Sequence, residues 1–247
     1  MNLDDIKKQA FAMPLTSPSY PKTDFKFFNR EFFIITYETD MEALRKVVPE
    51  PLKVTEPIVK FEIIRMPDSY GFGDYTESGQ IIPVELDGVK GNYVHSMYLD
   101  DVAPIVSGRE IWGFPKKYGH PELNVDVDTL VGKLKYNGLY VAIATMGYKY
   151  HELDTAVIKN HFEKEPNFLL KIIPNCNGRD VDICQLVRYY TEDVTIKGAW
   201  TGPCALQLFQ NALAPIADLP VKKVISASHI VSDLTLGFGE VVYDYLK

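Results

Sequence analysis

Apolar positions along the chain gather in short runs rich in β-branched and aromatic residues, and Gly, Pro, Asn and Asp punctuate them. Residues 2–11 predict a short amphipathic helix that stops before Pro14. Residues 31–38 (EFFIITYE) predict a strand. Thr39-Asp40-Met41-Glu42 has the spacing of a capping box, which predicts a helix over 40–48 ending before Pro49. Residues 57–66 and 79–86 follow as strands. Asp87-Gly88 signals a hairpin turn into 89–99, and Asn137-Gly138 joins VGKLKY to LYVAIATMGY in a second hairpin. Helices are expected over 101–112 and 151–162, and strands return at 167–173, 180–195, 204–209, 221–232 and 239–245. Strand follows strand across turns instead of alternating with helices. The expected class is therefore mainly β (α+β), a large antiparallel, barrel-like structure with a few helices packed outside. No repeat, low-complexity tract or linker interrupts residues 1–247, which are expected to form one domain.

Composition adds little to that picture. Aromatics at 12% lean further toward strands. A formal charge of −7 without a long basic run argues against a nucleic-acid partner, because phosphate binding needs clustered Lys and Arg. Cys176, Cys184 and Cys204 are odd in number and lack C-x-x-C spacing, the pattern of reduced cytoplasmic thiols. The first residues, MNLDDIKKQAFAMP, have no apolar core and do not read as a signal peptide. No window is long and apolar enough for a transmembrane helix, so no membrane partner is expected.

Several common chemistries are missing. There is no G-x-S-x-G elbow and no phosphate-cradling P-loop, and Gly71-Phe72-Gly73 lacks the third glycine of a dinucleotide fingerprint. His95, His120, His151, His161 and His229 show no H-x-H or H-x-x-x-H spacing, and no metal site is expected. Attention falls instead on Ile111-Trp112-Gly113-Phe114-Pro115-Lys116-Lys117-Tyr118-Gly119. A lysine amine is nucleophilic only when neutral, and with an ordinary pKa roughly one in 2,500 is neutral at pH 7. Burial and a nearby positive charge both favour the neutral amine. Trp112 and Phe114 could wall such a lysine, and Pro115 biases Phe114 toward extended geometry. The dipeptide itself does not decide, since Lys7-Lys8 and Lys222-Lys223 repeat it.

The stretch GREIWGFPKKYGHP resembles the R-E-x-x-G/A-[YF]-P-K-K-x-G signature of acetoacetate decarboxylases. PLTSPSYP, FNREFF, DMEALRKVVPEPL, YTESGQIIPV, LKIIPN, AWTGP, LQLFQNALAP, DLPV and VVYDYLK are similar to that family too, so the resemblance spans about residues 13–247. It implies the family's fold and a cofactor-free decarboxylation of a β-keto acid, acetoacetate giving acetone and CO2. It also implies a large, dodecamer-like homo-oligomer. Carried over by position, the Schiff-base lysine falls on Lys116 and its neighbour on Lys117. The active-site arginine falls on Arg30, the two glutamates fall on Glu62 and Glu77, and Phe114 and Met97 join Arg30 in contacting substrate. Phe114 departs from the tyrosine many members carry, so any contact made by that hydroxyl is absent here.

Two other readings stay open: an aldolase-dehydratase type of Schiff-base enzyme on the same scaffold, and a non-catalytic barrel that binds small ligands. Magnitudes constrain how Lys116 would be activated. Making half the amine neutral near pH 6–7 requires about 5–6 kcal/mol. A second ammonium at about 7 Å contributes roughly 2.4 kcal/mol at an effective dielectric of 20, whereas burial alone covers the need. Lys116 is therefore expected in an apolar pocket, with Lys117 pointing elsewhere, toward a carboxylate or solvent.

Overall fold

The computed structural model describes residues 1–247. Strands dominate. One large sheet runs in the order β10 (His151–Glu152), β13 (Thr191–Thr201), β15 (Lys223–Leu236), β1 (Phe25–Glu38), β2 (Ile58–Met66), β4 (Tyr75–Leu86), β5 (Val89–Leu99), β11 (Asn167–Pro174), β12 (Val181–Tyr189) and β16 (Glu240–Asp244). Two short strands hang on it: β3 (Asp68–Ser69) pairs with β1, and β6 (Lys116–Tyr118) pairs with β5. A second sheet has the order β14 (Cys204–Leu208), β9 (Leu139–Gly147), β8 (Thr129–Tyr136) and β7 (His120–Asp126). Pairing is antiparallel except where β5 meets β11 and β6.

The large sheet is barrel-like without being a closed barrel. Its terminal strands β10 and β16 do not pair. Yet β12 and β13, near opposite ends of the strand order, are joined through Tyr190 alone. Three consecutive residues span at most about 7 Å, so the sheet must curl until its ends nearly meet. The inside of the curl holds Phe32, Ile64, Met97, Leu169, Val187 and other members of one apolar cluster. The opposite face carries Phe33, Ile35, Ile63 and Ile82, which pack with Leu123, Leu130, Leu134 and Val141 of the second sheet in a larger core.

Strand β1 serves both cores by alternation, with one interruption. Its register against β15 slips between Phe27 and Arg30, where Asn29 adopts a left-handed backbone (φ 53°). The extra residue reverses the parity. Phe25 and Phe27 before the bulge, and Phe32 and Ile34 after it, consequently all serve the inner cluster.

Some sequence expectations need correction. The strand expected at 31–38 begins at Phe25. The capping box at Thr39 does not form: Asp40 is the N-cap of α2 (Met41–Val47) and makes no cap hydrogen bond, its carboxylate pairing with Lys222 instead. The helix expected over 101–112 is α3 (Val102–Ser107) followed by a wider π turn, Gly108–Trp112. The strand expected at 180–195 breaks at Tyr190 into β12 and β13, because its halves join opposite ends of the curled sheet. Strand β7 lies in a stretch with no expected element. The N-terminal helix is α1 (Leu3–Gln9), capped by Asn2 and Asp5, and α4 (Thr155–Lys164) packs along β13. No helix is long and apolar enough to cross a membrane.

Candidate functional site

The curl encloses a cavity of about 160 Å³. A single cross-strand row explains much of its lining. Ile34 of β1 faces Glu62 of β2, Glu62 faces Gly79 of β4, Gly79 faces Met97 of β5, and Met97 faces Lys116 of β6. Residues opposite one another on neighbouring strands share a face, so the pairing alone brings Glu62, Met97 and Lys116 to one surface. Glu77, two residues before Gly79, lies on that face opposite Ile64. Arg30 joins them because the Asn29 bulge turns it inward. Arg30, Glu62, Glu77, Met97, Phe114 and Lys116 all line the cavity.

At its closed end Glu77 bridges two cations. One carboxylate oxygen accepts from the Arg30 guanidinium at 3.3 Å, and the other lies 3.3 Å from the Lys116 amine. All three side chains are buried. The guanidinium is held between the rings of Phe27 and Phe32, at 4.8 and 4.7 Å from their centroids. The Lys116 amine sits 5.0 Å from the Phe114 ring centroid. Such packing replaces the water that would otherwise solvate each charge.

Burial lowers the Lys116 pKa; Glu77 opposes that shift and the Arg30 charge adds to it. The positive neighbour is thus an arginine distant in sequence. Glu62 moves the other way: burial pushes its carboxyl up to about 7, with Glu77 adding to the rise and Lys60 and Arg30 opposing it. The cavity therefore pairs an amine biased toward neutrality with a carboxyl poised near neutral pH, the kind of perturbed set found where protons move.

Lys117, expected beside Lys116 in the catalytic set, is not brought to the cavity. Alternation along β6 turns it away. Its side chain is exposed, its amine donates to the Leu213 carbonyl, and it lies 4.9 Å from the Tyr136 ring. Lys223, of the other lysine pair in an apolar run, is also exposed.

The segment that carries Lys116 is built by the π turn. The Gly108 carbonyl accepts from both the Gly113 and Phe114 amides, at 2.9 and 3.0 Å. Gly113 has φ 89°, and a β-carbon there would fall 2.4 Å from that of Lys171, so only glycine fits. Lys171 in turn donates to the Ile111 carbonyl at 2.8 Å, and the Trp112 indole donates to the Gly237 carbonyl at 2.9 Å. The Arg109 guanidinium donates to the Lys116 carbonyl at 3.1 Å.

Sequence reasoning missed other lining residues. Tyr75 and Tyr189 present buried phenols whose pKa values burial raises. At the open end, Lys60 donates to Asn92 at 2.9 Å, Asn92 donates to Glu165 at 3.3 Å, and His161 bonds Glu165 at 2.7 Å. Lys60 was findable, since it shares a strand face with Glu62 two residues on. Tyr189 and Glu165 carry no local signal, because only the curl brings them to the cavity.

Comparison with known proteins bears on the same site. A family model described as acetoacetate decarboxylase (ADC) matches residues 12–246. An acetoacetate decarboxylase from Bordetella avium is 61% identical, covering 100% of this chain and 99% of its own. One solved acetoacetate decarboxylase superposes with a TM-score of 0.96 at 55% identity over 100% of both chains. Another, from Legionella pneumophila, gives 0.92 at 51% identity, covering 100% of this chain and 99% of that one.

Proposed function

The chain belongs to the acetoacetate decarboxylase family, and from that premise we propose that it decarboxylates acetoacetate to acetone and CO2 through a Schiff base on Lys116. The observation that carries this reading is the buried Lys116 amine, its pKa lowered by burial, on a carboxylate that also holds Arg30.

The neutral amine attacks the ketone carbon, and water leaves to give a protonated imine. The carbon–carbon bond to the carboxylate then breaks, its electron pair moves into the iminium, and CO2 departs. The enamine takes a proton at carbon, and hydrolysis returns acetone and the free amine. Substrate and lysine together form the electron sink, so the reaction calls for no cofactor. Glu77 orients the amine and is itself held by Arg30. Glu62 is suited to deliver and recover a proton, because its pKa of about 7 makes both forms available near neutral pH. Phe114 and Met97 wall the cavity against water. Lys117 supports the loop through Leu213 and Tyr136. We read residues 1–247 as one domain that works in the cytoplasm as a large homo-oligomer.

Incubation with acetoacetate should release CO2 and acetone in equal amounts. Borohydride added during turnover should inactivate the protein and leave the added mass on Lys116. Mass on Lys117 or Lys223 would overturn the assignment of the nucleophile. Absence of CO2 with trapping intact would favour another Schiff-base reaction. Fractionation and light scattering read the compartment and the assembly.

A further inference from the structure

Gly108 opens the π turn eight residues before the lysine, and its backbone gives no reason for glycine. It sits at φ −60°, ψ −41°, ordinary right-handed helical geometry. Alanine is favoured over glycine in that conformation, since glycine loses more freedom on ordering. The reason lies in what a side chain would meet. A β-carbon on Gly108 would stand 2.8 Å from Cδ, 3.0 Å from Cε and 3.2 Å from Nζ of Lys116. Ordinary contact between such atoms begins near 3.5–4.0 Å. The three nearest atoms all belong to the far end of the Lys116 side chain, so the lysine is what would move.

We propose that Gly108 is a positioning residue for the Schiff-base chemistry, a proposal that rests on Lys116 as nucleophile: its missing β-carbon leaves the slot in which the Lys116 stem lies and fixes where the amine stands. Three other contacts complete the mould. Arg109 holds the Lys116 carbonyl, the Phe114 carbonyl accepts from the Lys116 amide at 2.8 Å, and Glu77 meets the amine. Each of these acts at one end of the residue. Gly108 instead lies along the stem, facing Cδ, Cε and Nζ. The turn thereby does two jobs with one residue, since the carbonyl of Gly108 anchors the segment carrying Lys116 while its Cα face receives the lysine.

The experiment compares Gly108→Ala, Lys116→Ala and the double variant. In Gly108→Ala, kcat for acetoacetate and the rate of borohydride trapping should each fall at least tenfold, with KM changed less than threefold. The pH at which the amine becomes reactive should also move, because the amine leaves its place beside Glu77. The thermal midpoint should fall when alanine is placed at 108 with Lys116 present, and should hold or rise with Lys116→Ala. A lysine-dependent midpoint is a readout that a purely structural glycine would not give. The proposal is overturned if Gly108→Ala traps and turns over within twofold of the unmodified protein. It is equally overturned if alanine at 108 destabilises the Lys116→Ala protein as much as the parent, since the clash would then lie elsewhere. Failure of the unmodified protein to trap would instead sink Lys116 as nucleophile, and the thermal comparison would still judge the slot.

Discussion

Two residues of the cavity carry opposite electrostatic problems. In the proposed mechanism Lys116 has to lose its charge readily, and burial is the largest influence lowering its pKa. Lys116→Arg should abolish acetone formation and trapping, because a guanidinium stays protonated and forms no imine; residual activity above about one part in a thousand would require another nucleophile. Glu62 is pushed from its ordinary range up to about 7. The sign follows from linkage. A carboxyl with a raised folded pKa contributes stability that is fully present below the unfolded value near 4.5 and is lost as pH rises through about 7. Glu62→Gln removes that dependence. The variant should therefore gain stability relative to its parent as pH rises across this window, by about 3–4 kcal/mol at most. Thermal melts of both proteins from pH 4 to pH 8 would measure it, and a flat difference would show that Glu62 titrates normally.

At the scale of elements, the bulge in β1 and the turn before β6 place the site. Asn29 takes φ 53°, its amide donates to Asp233 at 2.8 Å, and its side chain accepts from Lys197 at 2.7 Å. Asparagine tolerates this left-handed geometry, whereas a β-branched residue does not. Asn29→Val should cost about 1–2 kcal/mol of stability. Its cost to kcat should be larger than that implies, because an altered bulge would turn Arg30 away from Glu77. Asn29→Gly should keep most activity, since glycine adopts the same φ without strain. Chemical denaturation and steady-state kinetics on both variants test this, and equal kinetics in the valine and glycine variants would remove the bulge from the account.

For the whole molecule, the two faces of the large sheet divide the labour. The outer face packs on the four-stranded sheet, and the inner face carries the cavity. Leu134 is fully buried in the outer core. Leu134→Ala should destabilise the protein by about 2–5 kcal/mol through lost burial and a residual cavity. Trapping per folded molecule should stay as in the parent, because no cavity-lining side chain belongs to that layer. A fall in trapping that parallels the fall in stability would mean that the layers are not separable.

Strand identity was legible in residue type, because β-branched and aromatic runs bounded by Asp-Gly and Asn-Gly turns are local signals. The lysine signature was also legible, since its glycines, proline and aromatics build one continuous turn, although only the similarity to a family ranked Lys116 above Lys223. The bulge at Asn29, the break at Tyr190 and the failed cap at Thr39 were not, because each depends on a partner strand or on a distant residue such as Lys222. The sequence by itself determined which segments are strands and which residue types could do amine chemistry. Only the tertiary structure decided that Arg30, Glu62, Glu77 and Lys116 face one cavity while Lys117 does not, because side-chain parity and strand order are set by pairing between residues far apart in the chain.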